Sequence, residues 1–197
     1  MDLVLEVIAL RDGDELRVQR PRDSEALIDE HAFEEDEFLP YWAELWPSGL
    51  ALARALDGRA LNGARVLELG CGLGLPSLVA ARAGGRVLAS DWSLGALSLL
   101  QRNASENELA VETVAADWAA PEPLTARAPF DLVLAADVLY ERRSIPLLLD
   151  LLPRLGRCVW LADPGRATAE GFLRRAPETW RVRSAQADGA LIHRLER

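Results

Sequence analysis

Val66-Leu67-Glu68-Leu69-Gly70-Cys71-Gly72-Leu73-Gly74 is the stretch that decides the fold. Its first half is a short apolar run of strand character. Its second half places a glycine at every other position, G-x-G-x-G, so the strand ends in a tight loop. A helix follows over 76–83, with Pro76 in its first turn. The same alternation continues downstream. Strands are predicted over 65–69, 86–90, 111–115, 131–136 and 158–162, and helices over 94–103, 145–155 and 167–175. Two closing antiparallel strands, 180–184 and 191–195, turn at Asp188-Gly189. Repeated strand–helix units predict an α/β fold: a doubly wound, mostly parallel sheet covered on both faces. Such a sheet binds its ligand beyond the strand C-termini, at the point where the strand order reverses.

Upstream of the loop, Leu50, Ala53, Leu56 and Leu61 keep helical spacing. Residues 3–20 alternate as a hairpin around Asp12-Gly13-Asp14. The expectation is a single domain over 1–197, with 1–39 as an N-terminal hairpin and helix extension and 40–197 as the core. Residues 121–129 read as an irregular loop.

The chain has 197 residues, half of them apolar, and a net charge of −9. All 22 basic residues are arginine, so the protein has no lysine of its own to modify. No dense basic run is present, which argues against a nucleic-acid partner. No apolar run reaches the ~18 residues of a membrane span, and the acidic start lacks the basic leader of a signal peptide. A cytoplasmic protein is expected, with no membrane association. Cys71 and Cys158 are the only cysteines, and His31 and His193 stand far apart. That is too little for a disulfide framework or a metal motif. The acidic stretch 23–37 is either a solvated face or a docking surface for a basic partner.

The loop also constrains the ligand. A dinucleotide fingerprint is G-x-G-x-x-G, with a helix N-terminus under the pyrophosphate. Here the third glycine comes one residue early, and Glu68 stands two residues before the first. An acid there repels phosphate and suits an ammonium. Asp91 ends the second strand, 19 residues after Gly72, where an acid accepts from ribose hydroxyls. Asp117 can accept from an adenine amino group, and Trp118 can lie against the ring. S-adenosylmethionine has these parts: an amino group, a sulfonium and a ribose, with no phosphate. Helix capping by Asp91, rivalled by Ser93, and core packing by Trp118 are the competing structural roles.

Glu68-Leu69-Gly70-Cys71-Gly72-Leu73-Gly74 resembles motif I of the class I, seven-strand, Rossmann-like methyltransferases that use S-adenosylmethionine. Trp46-Pro47-Ser48-Gly49 and Asp137-Val138-Leu139-Tyr140 narrow the resemblance to protein-lysine methyltransferases with a D-x-x-Y motif. Asp163-Pro164-Gly165-Arg166 is similar to the branch acting on the electron-transfer flavoprotein β subunit, whose bacterial members are often described as nicotinamide N-methyltransferase-like. The resemblance implies that Trp46, Glu68, Gly70, Cys71, Gly72, Gly74, Asp91, Trp92, Asp117, Trp118 and Ala136 contact the cofactor, which leaves as S-adenosylhomocysteine. It implies that Asp137 and Tyr140 face the acceptor nitrogen.

The function expected is methylation of a lysine on a partner protein. Asp137 would orient the amine and Tyr140 would wall its channel; a turn cap and core packing are their structural alternatives. Asp163 either borders the acceptor site or closes a Pro-Gly turn. Arg166 either meets an acidic group on a substrate or is solvated, the second being favoured. A small-molecule N-methyltransferase on the same fold is the first rival. An NAD-dependent oxidoreductase is a weaker one, opposed by the glycine spacing and Glu68.

Overall fold

The structure is a computed structural model that describes residues 2–11, 13–24 and 41–197. His31 and residues 25–37 of the acidic stretch lie outside the described residues.

The predicted strand–helix series is present. After the hairpin β1 (Leu3–Ala9) and β2 (Glu15–Pro21), helix α1 (Pro47–Leu56) leads into β3 (Arg65–Leu69), α2 (Leu75–Arg82), β4 (Arg86–Asp91), α3 (Leu94–Glu106) and β5 (Glu112–Ala115). A short helix α4 (Glu122–Thr125) interrupts the segment expected to be an irregular loop. Then come β6 (Leu132–Ala136), α5 (Ser144–Leu155), β7 (Cys158–Asp163), α6 (Ala167–Arg175), β8 (Arg181–Ala187) and β9 (Ala190–Glu196).

Seven strands form one sheet in the order β5-β4-β3-β6-β7-β9-β8. Strands β3 to β7 pair in parallel, and β9 runs antiparallel to both β7 and β8. The chain winds outward from β3 through β4 to β5, then returns to β6 on the other side. The strand order therefore reverses between β3 and β6, where a parallel sheet opens its ligand crevice.

Alternation along the central strands feeds two cores. Val66, Ala89 and Leu134 join a cluster with α1, α2, α3 and the hairpin's Ile8, Leu16 and Val18. Leu67, Leu69, Val133 and Leu161 join a second cluster with α5 and α6. Burial on both faces explains why these strands read as apolar runs.

The hairpin is fastened by side chains acting as a substitute strand. Buried Asn103 accepts from the Gln19 N–H (2.7 Å) and donates to the Gln19 carbonyl (3.1 Å) and to the Leu73 carbonyl in the glycine loop (3.4 Å). One helical turn on, Asn107 accepts from the Arg17 N–H (2.9 Å) and donates to its carbonyl (2.7 Å). Amide side chains at i and i+4 share one helix face, and each offers both a donor and an acceptor. They thereby match the alternating groups of an edge strand.

Among the described residues, no helix is long and apolar enough to cross a membrane.

Candidate active site

The C-terminal ends of β3, β4 and β6 converge on a cavity of about 360 Å³, a size that suits a small-molecule site. Its floor is the glycine loop. Gly70, Gly72 and Gly74 have φ of 62°, 49° and 79°, a left-handed run that the alternating glycines permit. The Gly72 N–H donates to Asp91 Oδ2 (3.0 Å), and the Ser93 N–H to Asp91 Oδ1 (2.9 Å). Asp91 thus ties the loop to the end of β4. Burial raises its pKa, and these N–H groups oppose the rise. The cap of α3 is Ser93, whose hydroxyl accepts from the Ala96 N–H.

Glu68 departs from expectation. It is buried, and its Oε2 accepts from the Ser77 N–H (2.9 Å) and is also bonded to the Ser77 hydroxyl. Its carboxyl therefore closes the first turn of α2, where a free anion site would otherwise lie. Burial pushes its pKa from 4.5 up to about 8; the Ser77 hydrogen bonds lower it, and the Asp91 charge adds to the rise. At neutral pH this carboxyl holds a proton rather than the fixed negative charge that the sequence suggested.

A stability prediction follows by linkage. A carboxyl raised in the folded state contributes stability that is complete below its unfolded value, near 4.5, and is lost as pH rises through about 8. Glu68→Gln keeps an acceptor for Ser77 but removes the titration. Melting curves from pH 5 to 9 should show wild type losing stability relative to the variant, by a few kcal/mol at the alkaline end. Parallel curves would remove Glu68 as the cause.

The acceptor end lies at β6. Asp137 adopts φ 57°, a left-handed conformation that aspartate tolerates better than most residues. It is buried, and its N–H donates to the Ala162 carbonyl (2.8 Å). Its Oδ1 accepts from Arg166 Nε (2.6 Å). Among the described residues its Oδ2 is buried without a partner. Tyr140 meets Tyr41 edge-on at 5.7 Å, Tyr41 meets Trp46 at 6.1 Å, and the Trp46 indole N–H donates to the Tyr41 carbonyl (2.7 Å). Burial, with the Glu141 charge, raises the Tyr140 phenol.

The cavity lining brings together both residues expected at the acceptor, Asp137 and Tyr140. It includes every residue expected at the cofactor except Asp117. Strand β5 ends at Ala115, and Asp117 then folds a tight turn in which its Oδ1 accepts from the Ala119 N–H (2.8 Å). Asp117 is exposed there, while the neighbouring Trp118 ring turns inward beside Gly70 and Val138. Asp163 closes its turn and does not line the cavity. Tyr41 and Trp42 both line it.

Sequence reasoning missed the pairing of Arg166, which is bound to Asp137 rather than solvated. It also missed Glu44, Leu45 and Glu141 in the lining. The short D-P-G-R signature was the available clue to Arg166.

A family model described as "Lysine methyltransferase" matches residues 30–159. The chain belongs to this lysine methyltransferase family. It is 36% identical over 137 residues to an electron transfer flavoprotein beta subunit lysine methyltransferase of Xenopus laevis, covering 65% of this chain and 54% of that protein. It is 32% identical over 157 residues to EEF1A lysine methyltransferase 3 of Mus musculus, covering 74% and 67%. The chain spans about half the length of the first of these relatives. A 16S rRNA methyltransferase of T. Thermophilus, solved with AdoMet and guanosine, superposes with a TM-score of 0.70 at 19% identity. That superposition covers 99% of this chain and 50% of that one, and it shows the Rossmann-like methyltransferase fold. Within this lysine methyltransferase family member, the matched stretch contains the glycine loop, Asp91 and the D-x-x-Y segment, but ends before Asp163.

Proposed function

We propose that this chain transfers the methyl group of S-adenosylmethionine to a lysine side chain on a partner protein, with residues 1–197 acting as one catalytic unit in the cytoplasm. One observation carries the reading. Among the described residues lining the cavity, five are acids; burial holds Glu68 neutral, but the other four (Glu44, Asp91, Asp137 and Glu141) still outnumber the sole base, Arg166, and aromatic rings stand at the Asp137 end. Such a site suits cations. The relatives' names, which specify lysine acceptors, support the choice of amine. Both cysteines are free, as a reducing compartment would keep them. The hairpin shares its core with the helices that carry the loop.

The residues fit this donor and oppose a dinucleotide. The first turn of α2, which would hold a pyrophosphate, already bonds the Glu68 carboxyl. Asp91 has a position and charge suited to ribose hydroxyls, and Trp118 offers a ring face for a base. When bound, the donor supplies an already activated methyl on sulfur.

The chain's remaining work is positioning. Alignment of two reactants can contribute up to ~7–11 kcal/mol. A lysine with a pKa of about 10.4 must also lose its proton, at roughly 4 kcal/mol near neutral pH. Aromatic walls from Tyr41, Trp46 and Tyr140 disfavour the charged amine by desolvation while accommodating a methylated product. Asp137 holds the amine by a hydrogen bond. The role assigned to it is positioning, since carboxylates as a class are far weaker bases than amines.

Incubating the purified chain with tritiated S-adenosylmethionine and a protein extract tests the reading. Label in a protein band, released as methyl-lysine on hydrolysis, is the expected result. Label released as methyl-arginine, or found only in small molecules or RNA, would overturn the lysine acceptor.

A further inference from the structure

We propose that Arg166 is a resident counter-ion for Asp137, fixing that carboxylate and neutralising it so that the acceptor amine docks uncharged. The inference rests on the methyl-transfer reading above and adds a residue to it.

The geometry is built rather than incidental. Asp163 is fully buried, and its Oδ1 accepts from both the Gly165 N–H (2.7 Å) and the Arg166 N–H (2.7 Å). Gly165 at φ 91° lets the chain turn there. The turn delivers Arg166 to Asp137, 29 residues away in sequence, with Nε on Oδ1 at 2.6 Å. The guanidinium carbon also stands 5.9 Å from the centre of the Trp46 ring. The pair is unlike a surface ion pair, because the Asp137 side chain is only 6% exposed. The hydrogen bond to Asp137 is the main reason that the Arg166 pKa is raised.

Charge arithmetic then distinguishes two forms of the site. A lone buried carboxylate would hold an incoming lysine as ammonium, with its lone pair occupied by the proton. A carboxylate already paired with Arg166 gains little from a second cation, and the guanidinium repels one. A neutral amine remains welcome, because Asp137 Oδ2 is buried, has no partner among the described residues and can accept one of its N–H groups. The other charged or titratable groups facing this pair come from several elements. Tyr140 and Glu141 follow β6, Asp163 ends β7, and Tyr41 and Glu44 precede α1. Glu68 and Asp91 stand across the cavity. Burial holds Glu68 neutral, whereas Glu44, Glu141, Asp91 and Asp163 are acids that favour a cation, so among the described residues Arg166 is the group that opposes ammonium formation. It acts through Asp137 and is a positioning residue.

The test compares two probes by calorimetric titration at pH 7. S-adenosylhomocysteine lacks any group at the transferred methyl. Sinefungin carries a primary amine there. In Arg166→Gln, S-adenosylhomocysteine affinity should change by less than about twofold. The preference for sinefungin should rise about tenfold or more, since an unmasked carboxylate shifts a neighbouring amine by one unit or more. Arg166→Lys keeps the positive charge and should restore the wild-type preference. Asp137→Asn, a second route should Arg166→Gln fail to fold, should lower the preference below wild type. An unchanged preference in Arg166→Gln, or an Arg166→Lys variant that behaves like Arg166→Gln, would overturn the counter-ion role. Failure of wild type to bind S-adenosylhomocysteine would instead overturn the methyl-transfer reading beneath it.

Discussion

Asp91→Ala is expected to weaken S-adenosylmethionine binding by about 100-fold or more while leaving a folded protein. The carboxylate serves twice. It holds the Gly72 N–H and the Ser93 N–H, and so fixes the glycine loop against the end of β4. It also supplies the acceptor pair proposed for the ribose. A charged hydrogen bond is worth roughly 1.5–3 kcal/mol, and loss of two would account for a change of that size. Folding should survive because Asp91 is itself a buried acid whose pKa is raised by desolvation, so its removal relieves a cost as well. Asp91→Asn keeps one acceptor oxygen and should fall between wild type and alanine. Calorimetric titration beside circular dichroism measures both effects. Donor affinity within threefold of wild type in a folded Asp91→Ala protein would refute the assignment.

Gly74→Ala is the second large effect, and it falls on stability. A Cβ at this position would lie 2.1 Å from Leu100 Cδ1, well inside contact distance, and the backbone φ is 79°. Left-handed backbone costs an alanine roughly 1–2 kcal/mol, and forcing a methyl into a packed core costs roughly 1–3 kcal/mol more. Their sum, about 2–5 kcal/mol, corresponds to a fall in Tm of roughly 5–20 °C for a domain of this size. Gly189→Ala separates the two contributions, because Gly189 has φ 81° and open space around it. It should cost only the backbone share. Equal losses in the two variants would show that Leu100 yields freely.

The sequence carried features whose cause is local. Strand and helix periods appear within a few residues, and the three glycines announce a loop by their own spacing. The crevice at the end of β3 followed from the parallel order. What escaped was set by topology. Arg166 meets Asp137 because β6 and β7 are neighbours with adjoining C-terminal ends; the D-P-G-R signature marks Arg166 but does not name its partner 29 residues away. Asn103 meets Gln19 across 84 residues for the same reason. Asp117 is the converse case. Its place after the third strand suggested a ligand contact, but the turn beginning just beyond Ala115 claims its carboxylate locally. Glu68 lines the cavity, yet its charge state depends on burial that spacing alone does not reveal.

Strand β9 lies between β7 and β8 in the sheet, although it follows β8 in the chain. On a ribosome, β8 therefore emerges with no strand of the main sheet available beside it. It must wait for β9, which takes the free edge of β7 and carries β8 in with it as a hairpin. The main sheet closes in reverse of synthesis order at this edge. A chain halted between the two strands would expose the β7 edge and leave the second core without Leu195, and an unpaired edge of this kind invites aggregation.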